Sequence, residues 1–522
     1  MQPIHRFLTF FAIVCLITAT AARASDAAPN TPRTLTLEEC IRLALQHNFD
    51  VRIQRYGPEI ARYNLSVSYA GYEPVLALTG EHSYRLSPGG IDAENRPFVG
   101  SETEEDSVGA SIRGLMPWGL SYSLGGNVGD SYGTRPGFIE VTNVVGTNIV
   151  VVEVPIRIPF ENADGQIGVF EMRQPLMRNA WIDSTRLNIQ IDKADLKISE
   201  LALQQQIMTT VTAVENAYYN LIFAQENVRV QEAALQLAER LLAENKKRVE
   251  VGAMAPLDEK QAEAQVATSR ADLLSARRTL EAQQNLLKNL LTDEYPNWHK
   301  VDLQPAEKLL AVPVSLQLYD SWHKGMTMRP DLLQFRENLA KQNIVLSFQK
   351  NQLFPQFDLV ARYGYSASGD EISPALDQLT NGENPFWSYR AELNIPLGNR
   401  AARNTYKAAK ASREQLVLQL RKLEQNVMVE IDDAVGTVRS SFERVEATHQ
   451  ASLFAEAALD AEQKKLENGK STSFQVLQLQ RDLTDARSRE IRALADYNIA
   501  LAQLALSEGD TLQRNRIKLD VK

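Results

Sequence analysis

The chain has 522 residues, of which 44% are hydrophobic and 23% charged, and its formal net charge at pH 7 is −9. This composition is that of a folded protein and excludes collagen-like and intrinsically disordered chains. The acidic balance, without a basic stripe that carries interleaved aromatic residues, argues against a nucleic-acid partner.

Residues 1–24 have the pattern of a secretory signal peptide. Arg6 gives a positive start, an apolar run too short to span a bilayer follows, and Ala-Arg-Ala then places small residues at the positions that a signal peptidase reads. We predict cleavage between Ala24 and Ser25, and the alternative is a buried N-terminal helix. The signal contains two arginines and no acidic residue, so the formal net charge of the mature chain is −11 instead of −9.

Cys40 is the one cysteine outside this signal. It stands among apolar residues in a helical pattern, which predicts a packed thiol. A single cysteine supports neither a disulfide framework nor a cysteine-based metal site. No later segment has about eighteen consecutive apolar residues, so we predict no membrane-spanning helix in the mature chain, which leaves a soluble protein or a membrane β-barrel as alternatives.

After a linker at 25–34, the first half of the chain predicts a helix, several strands, and two long helices joined by a glycine-containing turn. Thr36 and Glu39 have the spacing of a capping box at the start of the first helix. After Pro74, apolar residues alternate with small or polar ones, as in a strand with one apolar face. The predicted elements are a helix at 35–70, strands at 75–86, 107–113, 120–127 and 167–177, long helices at 180–251 and 257–291, and a turn at 252–256.

The second half of the chain, 328–508, is predicted to be a structural repeat of 35–292. One strand in each half ends in a similar way, with Gln-Pro-Leu at 174–176 and Ile-Pro-Leu at 395–397. The predicted elements are a helix at 330–352, strands at 356–366 and 387–397, long helices at 401–467 and 473–507, and a turn at 468–472, with a separate segment at 293–327 between the repeats and a C-terminal tail at 509–522.

Both long helices carry apolar residues at steps of three and four, the pattern of helices that pack side by side. The stripe on the first one consists of Leu203, Ile207, Val211, Val214, Tyr218 and Leu221. At 1.5 Å per residue such a helix reaches about 100 Å, which is too long for a compact domain. A soluble coiled-coil rod is one interpretation, whereas strands of roughly ten residues with one apolar face favour a membrane barrel.

Four motifs occur in an order that resembles the TolC-like outer-membrane efflux family. The segment 35–48 opens the first helix as the family does, and Arg-Pro-Asp-Leu at 329–332 resembles the family's motif in the second half. The strand endings at 174–176 and 395–397 and the turn at 251–258 also resemble those of the family. The resemblance extends over nearly all of the predicted mature chain.

The resemblance implies an α+β membrane protein that assembles as a homotrimer. Each subunit would contribute strands to one outer-membrane β-barrel and helices to a long α-helical barrel in the periplasm, with 293–327 as an equatorial collar. Its partners would be outer-membrane lipid, a periplasmic adaptor protein and an inner-membrane pump. The protein would be a passive exit duct for efflux or secretion, and the alternative is a non-conducting trimeric tether across the envelope.

The first half departs from the family plan by about 60 additional residues, because its strand region runs from 74 to 175 and that of the second half only from 355 to 396. The additional residues contain two alternating stretches separated by a tight turn. We predict an extra transmembrane hairpin at 107–127, which would give six strands per subunit and eighteen per trimer in place of the family's usual twelve. The alternative is a surface hairpin over the outer mouth.

The sequence contains no catalytic set, and we predict neither a cofactor nor a metal. None of the six histidines lies four residues from another, as a helical zinc pair requires, and no glycine-rich phosphate loop follows a strand. An enzyme is therefore the weakest interpretation of this chain.

The two helix tips supply the candidate functional residues. In the family, an aspartate six residues after the first tip glycine helps to hold the tip, and Asp258 matches this position. Acidic residues six and nine positions after the second tip glycine often ring the pore in the family. This chain has Gln475 and Gln478 at those two positions instead. Three copies of the remaining acidic residues would make the entrance negative and favour cations, and the alternative is a set of exposed helix-end charges. The candidate tip and gate residues are Gly252, Pro256, Asp258, Glu259, Glu467, Gly469, Lys470, Gln475 and Gln478.

Overall fold

The computed structural model describes residues 32–145 and 148–517. The predicted signal peptide, its cleavage point between Ala24 and Ser25, most of the predicted linker and the end of the predicted tail lie outside the described residues. Within the described part, no helix is both long enough and apolar enough to cross a bilayer.

The described chain consists of long helices, long strands and several shorter elements. The helices are α1 Leu37–His47, α2 Phe49–Tyr69, α3 Ser184–Glu250, α4 Pro256–Leu291, α5 Tyr295–Trp298, α6 Leu318–Met328, α7 Pro330–Asn351, α8 Ile372–Thr380, α9 Arg400–Glu467, α10 Ser473–Glu508 and α11 Thr511–Arg514. The strands are β1 Arg33–Leu35, β2 Val75–Ser87, β3 Gly90–Ile91, β4 Pro97–Phe98, β5 Ser101–Leu115, β6 Ser121–Val145, β7 Asn148–Pro175, β8 Leu303–Pro305, β9 Gln356–Gly369 and β10 Pro385–Asn394.

The chain divides into two compact units. The first unit comprises Ala213–Val312 and Ser441–Ile499 together with the residues before Phe49. The second unit comprises Phe49–Thr212, Pro313–Ser440 and the residues from Ala500 onward.

In the first unit, a short parallel pairing fixes the start of α1. Strand β1 pairs with β8, and Thr36 and Glu39 form the predicted capping box, in which Thr36 Oγ1 accepts a hydrogen bond from the Glu39 amide at 3.2 Å. The fully buried Tyr218 of α3 donates from its hydroxyl to the Leu35 carbonyl at 3.1 Å. The predicted apolar stripe of α3 therefore packs inside the protein, because all six of its residues are buried.

Cys40 lies on the buried face of α1, with none of its surface exposed. Burial raises the pKa of its thiol to about 12, so almost no reactive thiolate exists at neutral pH. We therefore expect native protein to resist labelling by a maleimide at Cys40 and unfolded protein to be labelled fully. Mass spectrometry of the intact chain, labelled with and without denaturant, measures this, and fast labelling of the native protein would contradict the packed-thiol prediction.

The second unit contains one antiparallel sheet of six strands in the order β10–β9–β7–β6–β5–β2. Strands β5 and β6 form the predicted extra hairpin, and both are paired within this sheet, β5 with β2 on one side and β6 with β7 on the other. The hairpin is therefore an integral part of the six-stranded sheet.

Two strands of this sheet are much longer than the sequence predicts. Strand β6 continues to Val145 instead of ending at 127, and β7 begins at Asn148 instead of 167. The strand ends predicted at 127 and 167 are therefore wrong, because residues 128–145 and 148–165 pair with each other in the β6–β7 hairpin. Glycines and prolines gave this region the composition of a loop, although its alternating valines and isoleucines carry the pattern of a strand.

Several element ends differ for local reasons. The helix predicted at 35–70 is two helices, because Asn48 adopts an extended backbone between them. The helix predicted from 180 begins at Ser184, since the Asp183 carboxylate accepts a hydrogen bond from the Arg186 amide at 2.8 Å and caps it. The strand predicted to 397 ends at Asn394, two residues before Pro396, which cannot donate to a ladder. Helix α8 was not predicted at all.

Three helix ends of the second unit, those of α6, α7 and α10, meet the middle of α9 around Arg329. Only 13% of its side chain is exposed, and its guanidinium donates through Nε and Nη2 to the Asp331 carboxylate at 3.0 and 2.7 Å. It also donates through Nη1 to Glu430 at 2.8 Å and to the Ser507 carbonyl at 3.2 Å. Burial alone would raise the pKa of Asp331, but the hydrogen bonds and charge of Arg329 outweigh it and hold that pKa below its usual range. The Arg-Pro-Asp-Leu motif at 329–332 thus connects these helices to one another, and we call this contact region the joint.

Gly509 completes this joint at the end of α10. Its backbone is left-handed, with φ +79°, and its amide and that of Asp510 donate to the carbonyls of Leu506 and Ala505, the hydrogen bonds of a Schellman motif. A Cβ added at Gly509 would lie 2.8 Å from the Arg329 nitrogen and 2.9 Å from the Met328 carbonyl carbon. Both are backbone atoms, so the close approach requires glycine.

Candidate functional site

The sheet of the second unit has one apolar face that extends across all six strands. Successive side chains of a strand point to opposite faces, so the register of the ladders shows which residues share a face. The exposed apolar residues that lie together form a band, which we call the apolar band: Leu76 and Leu78 of β2, Val108 and Ile112 of β5, Leu124 of β6, Phe170 of β7, Leu359 and Tyr363 of β9, and Trp387, Tyr389 and Leu393 of β10.

The opposite face of the same sheet is polar, and we call it the polar face. Arg362 of β9 donates to Gln166 of β7 at 2.8 Å on this face. Arg173 of β7 bridges Asp358 and Glu392 at 2.8 Å each. The other side chains of this face include Glu81, Ser83, Ser107, Arg113, Ser123, Asn127, Ser131, Glu171 and Arg390. The sheet is therefore suited to separate an apolar medium from water.

A β-bulge at Gly168 keeps the apolar side chains on both sides of it in β7 on the apolar face of the sheet. Gly168 has φ +61°, and the ladder register shifts between Ile167 and Phe170. The extra residue lets both of these apolar side chains lie on the apolar face although three positions separate them. Without the bulge, the N-terminal part of β7 would present each side chain to the wrong face.

The two predicted tip turns lie in the first unit and have the same backbone geometry. Gly252 and Gly469 have φ +75° and +70°, and each ends a long helix in a Schellman motif. A Cβ added at either glycine would meet no atom within 4 Å. Pro256 opens α4, where its missing amide hydrogen costs nothing, and Asp258 and Glu259 occupy the first turn, where a helix N-terminus favours negative charge.

The structure connects the two tips through residues that the sequence did not single out. Asn245 of α3, only 1% exposed, donates from Nδ2 to Ser473 Oγ of α10 at 2.6 Å. The same amide reaches the Asp258 carbonyl at 3.4 Å, and Arg248 donates to the Leu466 carbonyl at 3.3 Å. These hydrogen bonds, which we call the tip ties, join the end of α3 to both helices of the second tip.

The other predicted tip residues lie around these ties. Glu259 lies 4.0 Å from Lys246, whereas Glu467, Lys470, Gln475 and Gln478 are exposed. Near the second tip, hydrogen bonds from Lys465 and Ser471 hold the pKa of Glu462 below its usual range, so this carboxylate stays charged. No periodic pattern marks Asn245, because its partner is 228 residues away, and only a polar residue on an otherwise buried helix face could have indicated it.

Comparison with known proteins gives the same family as the motifs. A family model described as outer membrane efflux protein matches residues 182–292 and 326–510, together more than half of the chain. The chain is 24% identical to the outer membrane protein TolC of Vibrio cholerae, over 67% of this chain and 78% of that protein. The crystal structure of the CmeC outer membrane channel of Campylobacter jejuni matches with a TM-score of 0.63 at 14% identity and covers 91% of this chain and 86% of that one. The outer membrane protein VceC of Vibrio cholerae matches with a TM-score of 0.62 at 18% identity and covers 91% and 96%.

The family match includes both segments that carry the tips, and the structural matches confirm the predicted fold of a helical part combined with a β part. These relatives are channel proteins rather than enzymes, and nothing in the comparisons supports a non-conducting tether. The chain therefore belongs to the outer membrane efflux protein family and is an outer-membrane efflux channel with its helical part in the periplasm.

Proposed function

We propose that three copies of this chain form one passive exit duct, in which each subunit contributes six strands to a shared outer-membrane barrel of eighteen. The observation that supports this is the apolar band, which continues without interruption across β5 and β6. A hairpin outside the membrane wall would not need exposed Val108, Ile112 and Leu124 in register with the apolar residues of its neighbours.

The free edges of the sheet support closure between subunits. Strands β2 and β10 are the edges, and in a membrane an unpaired edge leaves backbone groups without hydrogen-bond partners. Six alternating antiparallel strands place β2 and β10 in opposite directions, so β10 of one subunit can continue the antiparallel pattern with β2 of the next. Barrel diameter grows roughly linearly with strand number, which makes this barrel about half again as wide as one of twelve strands.

The mechanism involves no bond making. An inner-membrane pump and a periplasmic adaptor deliver the substrate to the tips, and the substrate then diffuses along the polar face. The chain is built from two repeats, in which Gly252 and Gly469 occupy corresponding turns, and residues 293–327 form the equatorial collar. Charges at Asp258, Glu259 and Glu467 make the entrance negative, while Gln475 and Gln478 add no charge to it.

The tip ties are the proposed latch of the resting gate. The Asn245 side chain is buried, and its Oδ1 atom has no hydrogen-bond partner among the described residues. The side-chain amide is therefore held in place by the hydrogen bonds that its Nδ2 atom donates. Opening the tip by moving one helical hairpin away from the other would break the hydrogen bond to Ser473 and that from Arg248 to Leu466. Each lost bond costs about 1 kcal/mol, so the latch sets a modest barrier per subunit.

We expect Asn245→Ala to raise the open fraction of single channels at least roughly fivefold, because one hydrogen bond of about 1 kcal/mol per subunit is lost from the closed state. Single-channel recording in planar bilayers measures this. Asn468→Ala is the matched control, since Asn468 also lies at a tip but its side chain donates to the Lys464 carbonyl of the preceding helix α9. Equal behaviour of the two variants would remove the Asn245 tie from the gate.

A further inference from the structure

The β6–β7 hairpin projects beyond the rest of the sheet. The last β5–β6 pair is Glu102 with Thr134, and the last β7–β9 pair is Ala163 with Gly369. Residues 135–145 therefore pair only with 148–158, whereas 159–162 pair with 131–134 and have no strand paired on their other side. We call 135–145 and 148–162 the outer ribbon. It extends about 35 Å past the end of β5 at 3.3 Å per residue. It leaves the sheet at the end opposite to that at which β2 and β7 join helices.

The two faces of the outer ribbon differ from those of the sheet below it. The face that continues the polar face becomes apolar beyond Arg135: its described side chains are Ile139, Val141, Val152, Val154, Ile156 and Ile158. Ile139 is 45% exposed and Val152 is 43% exposed, so in one chain this face is largely uncovered. An uncovered aliphatic face of this kind is a contact surface.

The other face of the ribbon is held by the chain itself. Arg96, in the β3–β4 hairpin, donates to Glu153 at 2.9 Å and lies 5.1 Å from the Phe138 ring centroid. Asp92 accepts from Arg96 Nε at 2.9 Å and fixes the guanidinium. This face also carries Glu140 and Arg157, so it is suited to water rather than to an apolar partner.

Prolines block the edges of the ribbon. Pro136, Pro155 and Pro159 stand at pairs 136–157, 138–155 and 134–159, which all have the same parity in the ladder. Antiparallel pairs alternate between hydrogen-bonded and non-hydrogen-bonded, and proline fits only where its nitrogen points away from the ladder. The free edges therefore lack donors at these positions, and a partner that adds a strand to either edge is disfavoured.

We propose that the apolar faces of the three outer ribbons pack against one another on the threefold axis and form a hydrophobic constriction over the outer mouth. This inference rests on the proposed trimer. The face continues the channel side of the sheet, so it points to the axis and to the other two copies of this chain, whereas lipid lies on the opposite side. Hydrophobic constrictions can close a pore to ions by excluding water, so the ribbons act as a second gate, distinct from the tips.

Cysteine cross-linking in native outer membranes tests the packing. Val152→Cys places a thiol on the apolar face, and Val151→Cys is the matched control on the other face of the same strand. We expect oxidation or a short bismaleimide to join subunits in Val152→Cys and not in Val151→Cys; the buried Cys40 adds no background. Equal cross-linking of the two variants, or none in a trimer of verified mass, would overturn the ribbon contact. A chain that is not trimeric by mass would instead overturn the proposed function.

Channel recording tests the constriction independently. Val152→Ser combined with Val154→Ser keeps the strand and makes the face polar, so we expect larger or longer-lived current steps than in the unsubstituted protein. Val151→Ser should leave the steps unchanged. Unchanged currents in the double variant, with trimer mass preserved, would show that the ribbons do not narrow the path, whatever the cross-linking result.

Discussion

Replacing Gly509 by alanine is expected to lower the free energy of unfolding by roughly 2–5 kcal/mol. About 1–2 kcal/mol comes from placing a side chain in the left-handed conformation, and overpacking against a neighbour adds about 1–3 kcal/mol. The neighbour here is the backbone of Met328 and Arg329, which cannot rotate away as a side chain could. The variant should therefore loosen the joint between α10 and the start of α7.

Gly469→Ala and Gly252→Ala are the matched controls for this prediction. Both glycines have nearly the same φ and end a helix in the same motif, but a Cβ there meets nothing within 4 Å. These two substitutions should lower the free energy of unfolding only by the cost of the left-handed conformation, about 1–2 kcal/mol. Denaturant unfolding of the detergent-solubilised protein, followed by circular dichroism, compares the three variants. A cost at Gly509 no larger than at Gly469 would mean that the close approach to Arg329 is not present.

Arg329→Met should cost roughly 2–4 kcal/mol of unfolding free energy. The change leaves Asp331 and Glu430 without their cation and the Ser507 carbonyl without its donor, in a site where only 13% of the arginine side chain is exposed. Breaking a fully buried ion pair costs about 3–5 kcal/mol, and the partial exposure of both carboxylates reduces that figure. Methionine retains most of the aliphatic contact, so the loss comes mainly from polar groups.

Arg336→Met is the control for Arg329, because Arg336 pairs with Glu424 at an exposed position and should cost about 1 kcal/mol or less. The pH dependence gives a second readout. The pKa of Asp331 is lowered in the folded protein, so its contribution to stability is present above the unfolded pKa and disappears as the pH falls through the folded value. The difference between Arg329→Met and the unsubstituted protein should therefore shrink in acid. A constant difference would argue against the Asp331 pair.

Periodicity and capping residues made the long helices predictable. The turn glycines at 252 and 469 sit where a left-handed residue is needed, and the observed ends of α4 and α10 fall within one residue of those predicted at 257–291 and 473–507. Such signals are local, because they depend on backbone hydrogen bonds within a few residues. The start of α3 at Ser184 also has a local signal in the sequence, the capping Asp183.

The outer ribbon and α8 were missed for a different reason. Prolines and glycines are loop signals, yet at Pro136 and Pro155 they occupy edge positions that a two-stranded ribbon tolerates. Helix α8 has only nine residues, and it is held by packing of Ala375 and Leu379 on Ala163 and Ala367 of the sheet, which no pattern within 372–380 reveals. Both elements therefore depend on contacts between residues that are far apart in the sequence.

The tip residues show the same division between local and long-range signals. Gly252, Pro256 and Asp258 could be predicted because each has a role in its own turn. Asn245 and Ser473 could not, since their contact joins helices that are far apart in sequence. The role of any of these residues in gating remains a prediction until currents are recorded.

Conductance of the purified mature trimer in a planar lipid bilayer is the measurement that tests the central claim most directly. The account predicts discrete current steps from inserted trimers, with openings that last longer in Asn245→Ala than in Asn468→Ala. Inserted trimers that pass no current even when Asn245→Ala is combined with Val152→Ser and Val154→Ser, which together open the tip latch and the outer constriction, would contradict an exit duct.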